Sequence, residues 1–252
     1  MPFTFAHPAI VLPLYRLRSF SFTALVCGSI APDFEYFLRM QPYSVYSHTL
    51  AGVSYVDLPI AFLLAILFHR IVKLPLYACL PRLLQKAVYP AVAASWKLDT
   101  WRKRLVFAYS AVLGSLTHIV WDSFTHQGAF FVEKLPALQA KLNLGGLDVP
   151  LYKLLQHGST ILGLTAIGCF LLWTALRSAD APIRPGISLA RKVVYWFGIG
   201  ATGVLVACVH AWVNRGALPW DAPLQSIVPF LSGSMLGIIL FSCVLGQPGV
   251  KK

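Results

Sequence analysis

Three ligand-type side chains recur at four-residue intervals near the end of an apolar segment. The segment reads GSLTHIVWDSFTH and carries His118, Asp122 and His126. On an α-helix these three residues fall within an arc of roughly 80° on one face. Two imidazoles and a carboxylate on one face suit a divalent metal such as zinc, manganese or iron rather than a soft copper site. The alternative is a hydrogen-bonded His118–Asp122 pair that stabilises a buried helix.

Further pieces of the chain carry candidate ligands for the same metal. They are His7 in MPFTFAHP, Asp33 in APDFEYF, His48 in YSVYSHTLAG, and His157 in LLQHGST. Each has a simpler interpretation: Asp33 can favour a helix start, and His48 can be an interfacial histidine among tyrosines. Glu35, two residues after Asp33, is a candidate general base. With His118 and Asp122 it completes the predicted catalytic set.

The composition places these residues in a membrane protein. The 252-residue chain is 57% hydrophobic and only 12% charged, with a mean hydropathy of +0.68. A soluble domain is about a quarter charged. The net charge of +12 does not indicate nucleic-acid binding, because the Lys and Arg residues lie in short gaps between apolar segments. No charged stretch precedes the first apolar residues, so we expect no cleavable signal peptide.

Apolar runs long enough to span a bilayer predict an all-α, polytopic helical membrane protein with about five to six spans. We expect a single integral-membrane domain over residues 1–252, in which 1–160 carry the metal site and 161–252 add membrane helices. The clear spans are predicted at about 53–69, 105–124, 152–176, 193–212 and 224–245.

The basic gaps set the predicted orientation. They are residues 70–104, residues 177–192 and the C-terminus, and five alternating spans place all three on one side. By the positive-inside rule that side is the cytoplasm, so we expect a multi-pass protein of the cytoplasmic (inner) membrane with its C-terminus inside. His118, Asp122 and the other candidate ligands then gather at the outer end of the spans.

The N-terminal 50 residues allow two interpretations. One is a single span from about 20 to 38. The other is a re-entrant hairpin of two short helices, built from 8–17 and 20–31. We favour the hairpin, because it brings His7 and Asp33 to the same membrane level, whereas a single span separates them. Such a hairpin must pack against protein or water, since irregular backbone is not tolerated against lipid.

The order of these motifs resembles a bacterial integral-membrane family of unknown function that begins with Met-Pro-Phe-Thr. The resemblance rests on MPFTFAHP, GSIAPDFEYF, SHTLAG and GSLTHIVWDSFTHQGAF, and it covers at least the first 160 residues. More distantly, the chain resembles the membrane-bound predicted metal-dependent hydrolases and the soluble, all-helical zinc-dependent phospholipase C and nuclease group.

The distant resemblance implies roles for individual residues. His7 matches the early ligand, Asp33 the first aspartate and His48 the next histidine, while Asp122 bridges two metals beside His118. The remaining matches, to ligands of a third metal, are His126 and His157. The chain departs from that pattern because six residues precede His7, and because Ile161 stands where the soluble enzymes have a carboxylate. These departures favour a centre of one or two metals.

Three functions fit this sequence. The first is a membrane-embedded hydrolase with a divalent metal, most simply zinc, that acts on a phosphate ester of a lipid or lipid-linked substrate. The second is a cation or proton transporter that uses the His/Asp cluster, and the third is a membrane scaffold or lipid-binding protein. The hydrolase is favoured, because the ligands lie at one level instead of through the depth of the spans. Membrane lipid is the expected partner, and the small residues in GIGATGVLVA and SGSMLG permit homo-oligomers as well as packing within the chain.

Overall fold

Helices make up most of the chain in the computed structural model, which describes residues 3–178, 187–216 and 218–246. The short helices are α1 (Thr4–Leu14, a 3₁₀ helix), α2 (Phe22–Ile30), α3 (Phe34–Arg39), α5 (Arg82–Ala93), α7 (Phe130–Lys134) and α8 (Pro136–Gln139). The long helices are α4 (Leu50–Cys79), α6 (Trp101–Ser123), α9 (Leu151–Arg177), α10 (Leu189–Arg215) and α11 (Pro223–Leu245). Single 3₁₀ turns occupy Ala31–Asp33 and Pro219–Asp221.

The five long helices confirm the predicted fold class. Within the described residues, these five are long and apolar enough to cross a membrane, and each contains or closely matches one predicted span. Helix α4 is longer than predicted because two π-helical segments, Val53–Asp57 and Phe68–Val72, carry it past its prolines. Pro59 and Pro75 follow these segments closely. A proline ring clashes with the carbonyl four residues earlier, and a π turn relieves that clash without ending the helix.

A short β-hairpin is the one addition to the all-helical pattern in the part of the chain that the structure describes. Strands β1 (Lys141–Leu144) and β2 (Leu147–Pro150) pair antiparallel, with Leu144 opposite Leu147. Gly145 and Gly146 form the turn with φ of 63° and 93°. A two-residue turn with positive φ at both positions favours Gly-Gly and matches the twist of the strands.

The N-terminal segment forms a helical hairpin of α1 and α2, and α2 is followed without a break by the 3₁₀ turn Ala31–Asp33 and α3. Helices α1 and α2 pack against each other, and each is too short to cross a bilayer alone. Thr4, at the start of α1, contacts Asp33, just after α2. His7 and Asp33 therefore come to the same level, as the hairpin interpretation predicts. Its re-entry into a membrane stays a prediction.

The chain divides into two compact units. Unit 1 contains the described residues up to Asp33, together with Val45–Phe62 and Lys97–Phe170. Unit 2 contains Phe34–Ser44, Leu63–Trp96 and the described residues from Leu171 onwards. Arg184, Lys251 and Lys252, on which the predicted orientation partly depends, lie outside the described residues.

Unit 1 depends on close packing of α2 against α6. A side chain at Gly28 would overlap the backbone of Ala111, and one at Gly114 would overlap the carbonyl of Leu25. Ser115 on α6 donates a hydrogen bond to the carbonyl oxygen of Gly28 at 3.1 Å. The two glycines thus let the helix backbones approach closely, which fixes the end of α2 beside the last turns of α6.

Unit 2 uses small residues in the same way. Helices α10 and α11 pack together, and a side chain at Gly198 would meet the ring of Phe241, while one at Gly233 would meet the backbone of Thr202. Tyr195 and Ser242 join the helices through a buried hydroxyl–hydroxyl contact of 3.1 Å. The glycine-rich stretches of these helices therefore pack within the chain.

Candidate metal centre

His118 and Asp122 lie one turn apart at the end of α6. His118 Nε2 lies 3.3 Å from Asp122 Oδ2, and the imidazole is fully buried. His118 Nδ1 lies 2.7 Å from the carbonyl oxygen of Ser29. Because a carbonyl oxygen only accepts, Nδ1 carries a proton and donates it, so Nε2 is the ring atom that faces Asp122 and would bind a metal. The end of α2 thus selects the tautomer that a metal-binding histidine needs.

Asp33 reaches the same point from the turn after α2. Its Oδ1 lies 3.5 Å from His118 Nε2, and its Oδ2 accepts a hydrogen bond of 2.5 Å from Thr4 Oγ1. Burial alone would raise the pKa of Asp33, but the imidazoles of His118 and His48 hold it below its ordinary value. The carboxylate is therefore ionised, with one oxygen fixed by Thr4 and the other facing the cluster.

His48 is the fourth residue of the cluster. It lies in the turn before α4, directly before Thr49, whose hydroxyl caps the first turn of that helix. Its Nδ1 lies 3.2 Å from Ser47 Oγ. Its Nε2 lies 3.5 Å from Asp33 Oδ1 and 3.7 Å from Asp122 Oδ2. The carboxylates of Asp122 and Asp33 outweigh the effect of burial, which by itself lowers the pKa of His48, and raise it above its ordinary value.

These four residues have the geometry of a metal-binding group. Asp33, His48, His118 and Asp122 each place one ligand atom within 4.8 Å of the others. Their nitrogen–oxygen separations are 3.3 to 3.7 Å. Charge-assisted hydrogen bonds are about 2.7–2.9 Å long, so an imidazolium–carboxylate pair would be closer. A tetrahedral metal with bonds of about 2.0–2.2 Å separates its ligand atoms by about 3.3–3.6 Å.

His7 and His126 approach the other oxygen of Asp122. His7 Nε2 lies 3.4 Å and His126 Nδ1 lies 3.5 Å from Asp122 Oδ1. The His7 ring stacks on that of His118, with ring centroids 3.7 Å apart. Gln156 Nε2, on α9, lies 3.3 Å from His126 Nε2. The two oxygens of Asp122 therefore face two different sets of imidazoles.

The histidines on this second side are neutral. Burial, reinforced by the neighbouring His118 ring, lowers the pKa of His7 to about 3. Burial also lowers the pKa of His126. A neutral imidazole offers a nitrogen lone pair, which is the form that binds a metal.

Several ligand atoms of the cluster are buried without a hydrogen-bond partner. Among the described residues they include His7 Nε2, Asp33 Oδ1, His118 Nε2 and Asp122 Oδ1. Leaving one buried polar atom unpaired costs about 1–3 kcal/mol. These atoms lie around the two oxygens of Asp122, so cations bound there would offset the cost, and the cluster can bind a metal.

Six of the predicted site residues come together in unit 1, and two do not. The six are His7, Asp33, His48, His118, Asp122 and His126. Glu35 belongs to unit 2, where its carboxylate accepts a 2.7 Å hydrogen bond from Arg39, and its role as a base stays a prediction. His157 is exposed on α9, and it is the preceding residue, Gln156, that reaches His126.

Three contacts that support the cluster were not predicted from the sequence. Thr4 lies in the opening MPFT stretch, close to His7 in the sequence. That closeness is the signal that could have indicated its contact with Asp33. Gln156 directly precedes His157, the residue that the sequence predicts as a ligand. The contribution of Ser29 is a backbone carbonyl, which no residue type reveals.

Comparisons with known proteins identify the family but no activity. No curated protein and no solved structure matches the chain significantly. The resemblance to metal-dependent hydrolases therefore rests on the motifs alone. A family model described as "Domain of unknown function (DUF4184)" matches residues 1–243, and the chain therefore belongs to this family.

Proposed function

We propose that the protein is a membrane-embedded, metal-dependent hydrolase that acts on a phosphate ester of a lipid or lipid-linked substrate. One observation carries this proposal: imidazole and carboxylate atoms from α1, the turn after α2, the turn before α4 and α6 converge around Asp122, and several are buried without a hydrogen-bond partner. A helix-stabilising His–Asp pair would require only residues of α6, so it does not account for Asp33 or His48.

A first metal would be held by Asp33, His48, His118 and Asp122, through the atoms that face one another in the cluster. Two carboxylates and two neutral imidazoles carry a charge of −2, which a divalent cation cancels, and this matters because an uncompensated charge is costly near the membrane interior. Nitrogen and oxygen ligands at tetrahedral separations favour zinc, with manganese or iron as alternatives. A divalent ion bound there supplies the Lewis acidity that lowers the pKa of water towards about 7.

Asp122 Oδ1, His7 and His126 provide the start of a second metal site. Because one carboxylate bridges both sets of ligands, two bound ions would lie close together. Metal pairs about 3.5–4 Å apart suit displacement at phosphorus, where both the attacking and the leaving oxygen carry negative charge. This arrangement favours a phosphate ester over a carboxylic ester as substrate.

The position of the cluster along α6 supports a lipid substrate. The basic residues Arg102, Lys103 and Arg104 lie in the first turn of α6, and Asp122 lies in its last turn. If the basic end faces the cytoplasm, the cluster lies at the outer boundary between membrane and water. Lipid headgroups are the phosphate esters concentrated at that level.

Metal content in matched variants tests the proposal. Elemental analysis of detergent-purified protein is expected to find one or two equivalents of zinc, manganese or iron in the wild type. The metal should be lost in Asp122→Ala and His118→Ala. His157→Ala is the control, since it removes an exposed imidazole of the same chain and should keep the metal.

Release of phosphate or of a phosphorylated headgroup from lipids is then measured on the metal-loaded protein, with Asp122→Ala as the inactive reference. A metal-free wild type, with both cluster variants folded normally, would contradict the metal centre. A metal-loaded wild type that cleaves no phosphate-ester lipid would contradict the hydrolase.

A further inference from the structure

An open apolar groove runs along unit 1 between α6 and α9. Its volume is about 710 Å³, within the range of about 300–1,000 Å³ found for small-molecule sites. Side chains of both helices and one residue of α1 form its walls. They include Ile10, Leu116, Val120, Trp121, Leu155 and Leu162.

The groove borders a small cavity at the metal cluster. A small cavity of about 30 Å³ is lined by His7, and Ile10, Trp121 and Ser159 line both this cavity and the groove. Thr125 also lines the groove, and its hydroxyl lies 3.2 Å from His126 Nδ1. The apolar groove therefore ends in polar groups that touch the cluster.

We propose that this groove binds the hydrocarbon chain of a lipid whose phosphate headgroup reaches the cluster. The headgroup part rests on the proposed function, whereas the chain part rests on the groove alone. Helices α6 and α9 are both long and apolar enough to cross a membrane, so hydrocarbon is the medium around their surfaces. A molecule that fills this groove must be apolar along its length, and a polar group at its end would lie beside Thr125 and the cavity that His7 lines. A lipid has that form, whereas an apolar protein helix would leave the polar end unmatched.

Gly158 offers a way to block the groove without disturbing the packing of the protein. It lines the groove, and an added Cβ there would meet no atom within 4 Å. Gly168 lies on the same helix, does not line the groove, and has equally open surroundings. Gly158→Phe and Gly168→Phe are therefore matched changes that differ in their effect on the groove. Leu162→Trp is a second blocking variant, since Leu162 is exposed and carries little packing.

The test uses phosphatidic acid with a photoreactive diazirine in one acyl chain, incorporated into phosphatidylcholine nanodiscs that hold the full-length protein. After irradiation, adducts are located by tandem mass spectrometry. In the wild type they should concentrate on groove residues relative to Val204 and Leu205, which are exposed on α10. A buried methylene raises the binding constant about fourfold, so a phenyl group that displaces two methylenes should lower groove labelling about 15-fold.

Gly158→Phe and Leu162→Trp are expected to show this loss, and Gly168→Phe to label as the wild type does. Metal content is measured on the same samples. Even labelling of groove and reference residues, or groove labelling unchanged in both blocking variants, would overturn the proposal even if the metal is present. Groove-specific labelling in a wild type that holds no metal would support the groove and refute the proposed function.

Discussion

Replacing Thr4 by valine tests whether the surroundings of the cluster position its ligands. Valine keeps the shape of threonine and removes only the hydroxyl that donates to Asp33 Oδ2 at 2.5 Å. Thr4 is buried, so water cannot readily take the place of the lost hydroxyl. Asp33 then keeps its charge but loses the contact that fixes which oxygen faces His118.

The size of the effect follows from the charge on the acceptor. A hydrogen bond to a charged group contributes about 1.5–3 kcal/mol. Since about 1.4 kcal/mol corresponds to a tenfold change in a binding constant, the zinc affinity should fall about 10- to 150-fold. Loss of a group that orients a metal ligand typically weakens metal binding about 10- to 100-fold, which agrees with that range.

The assay is a zinc titration of metal-stripped protein in competition with a chromophoric chelator. Thr202→Val is the control, because the Thr202 hydroxyl bonds only within its own helix, to the carbonyl of Gly198 at 2.8 Å. It should bind zinc as the wild type does. A folded Thr4→Val protein whose zinc affinity stays within about twofold of the wild type would refute the reasoning, because an effect of about tenfold or more is expected.

Three further predictions concern packing, pH and metal removal. Gly114→Ala forces α6 away from the Leu25 carbonyl of α2, so the free energy of unfolding, measured by thermal denaturation, should fall by about 1–3 kcal/mol. Gly168→Ala should leave it unchanged. Equal stability of the two variants would contradict this. Zinc affinity should fall as pH drops through the raised pKa of His48, by up to about tenfold per pH unit for each proton taken up; an affinity that does not change between about pH 8 and 5.5 would be inconsistent with His48 as a ligand. Removal of the metal by a chelator should lower the unfolding temperature of the wild type, because zinc at 100 times its dissociation constant stabilises the folded protein by about 2.7 kcal/mol. The unfolding temperature of Asp122→Ala should not change.

The sequence predicts the helices well because hydrophobic length is a strong signal. Five apolar runs correspond to five long helices, and the motif GSLTHIVWDSFTH places His118 and Asp122 on one helix face by periodicity alone. The extension of α4 beyond residue 69 was not predictable in the same way, since prolines such as Pro75 usually mark helix boundaries. The π-helical segments that accommodate them depend on backbone geometry rather than on residue type.

The candidate site was predictable only where residue type reveals chemistry. Asp33 and His48 could be proposed as ligands because carboxylates and imidazoles are uncommon beside membrane spans. His157 illustrates the limit: a histidine near the expected level points away, while Gln156 makes the contact. Which residue of a helix faces a cluster depends on the rotation of that helix, and α9 has no ligand pair at i,i+4 spacing that would fix its rotation in advance.

Exposure of the ligands is uneven, and this sets the route by which an ion enters and leaves. The side chains of His118, Asp33 and His7 are at most 3% exposed, whereas those of His48 and His126 are 20% and 24% exposed. The inner ligands are shielded from water, and His48 and His126 are the ligands that water or a chelator reaches first. Exchange must therefore begin with the release of His48 or His126. Changes at these two positions should accelerate metal exchange more than they weaken equilibrium binding, and the protein should hold its ion under brief exposure to chelator even where its affinity is moderate.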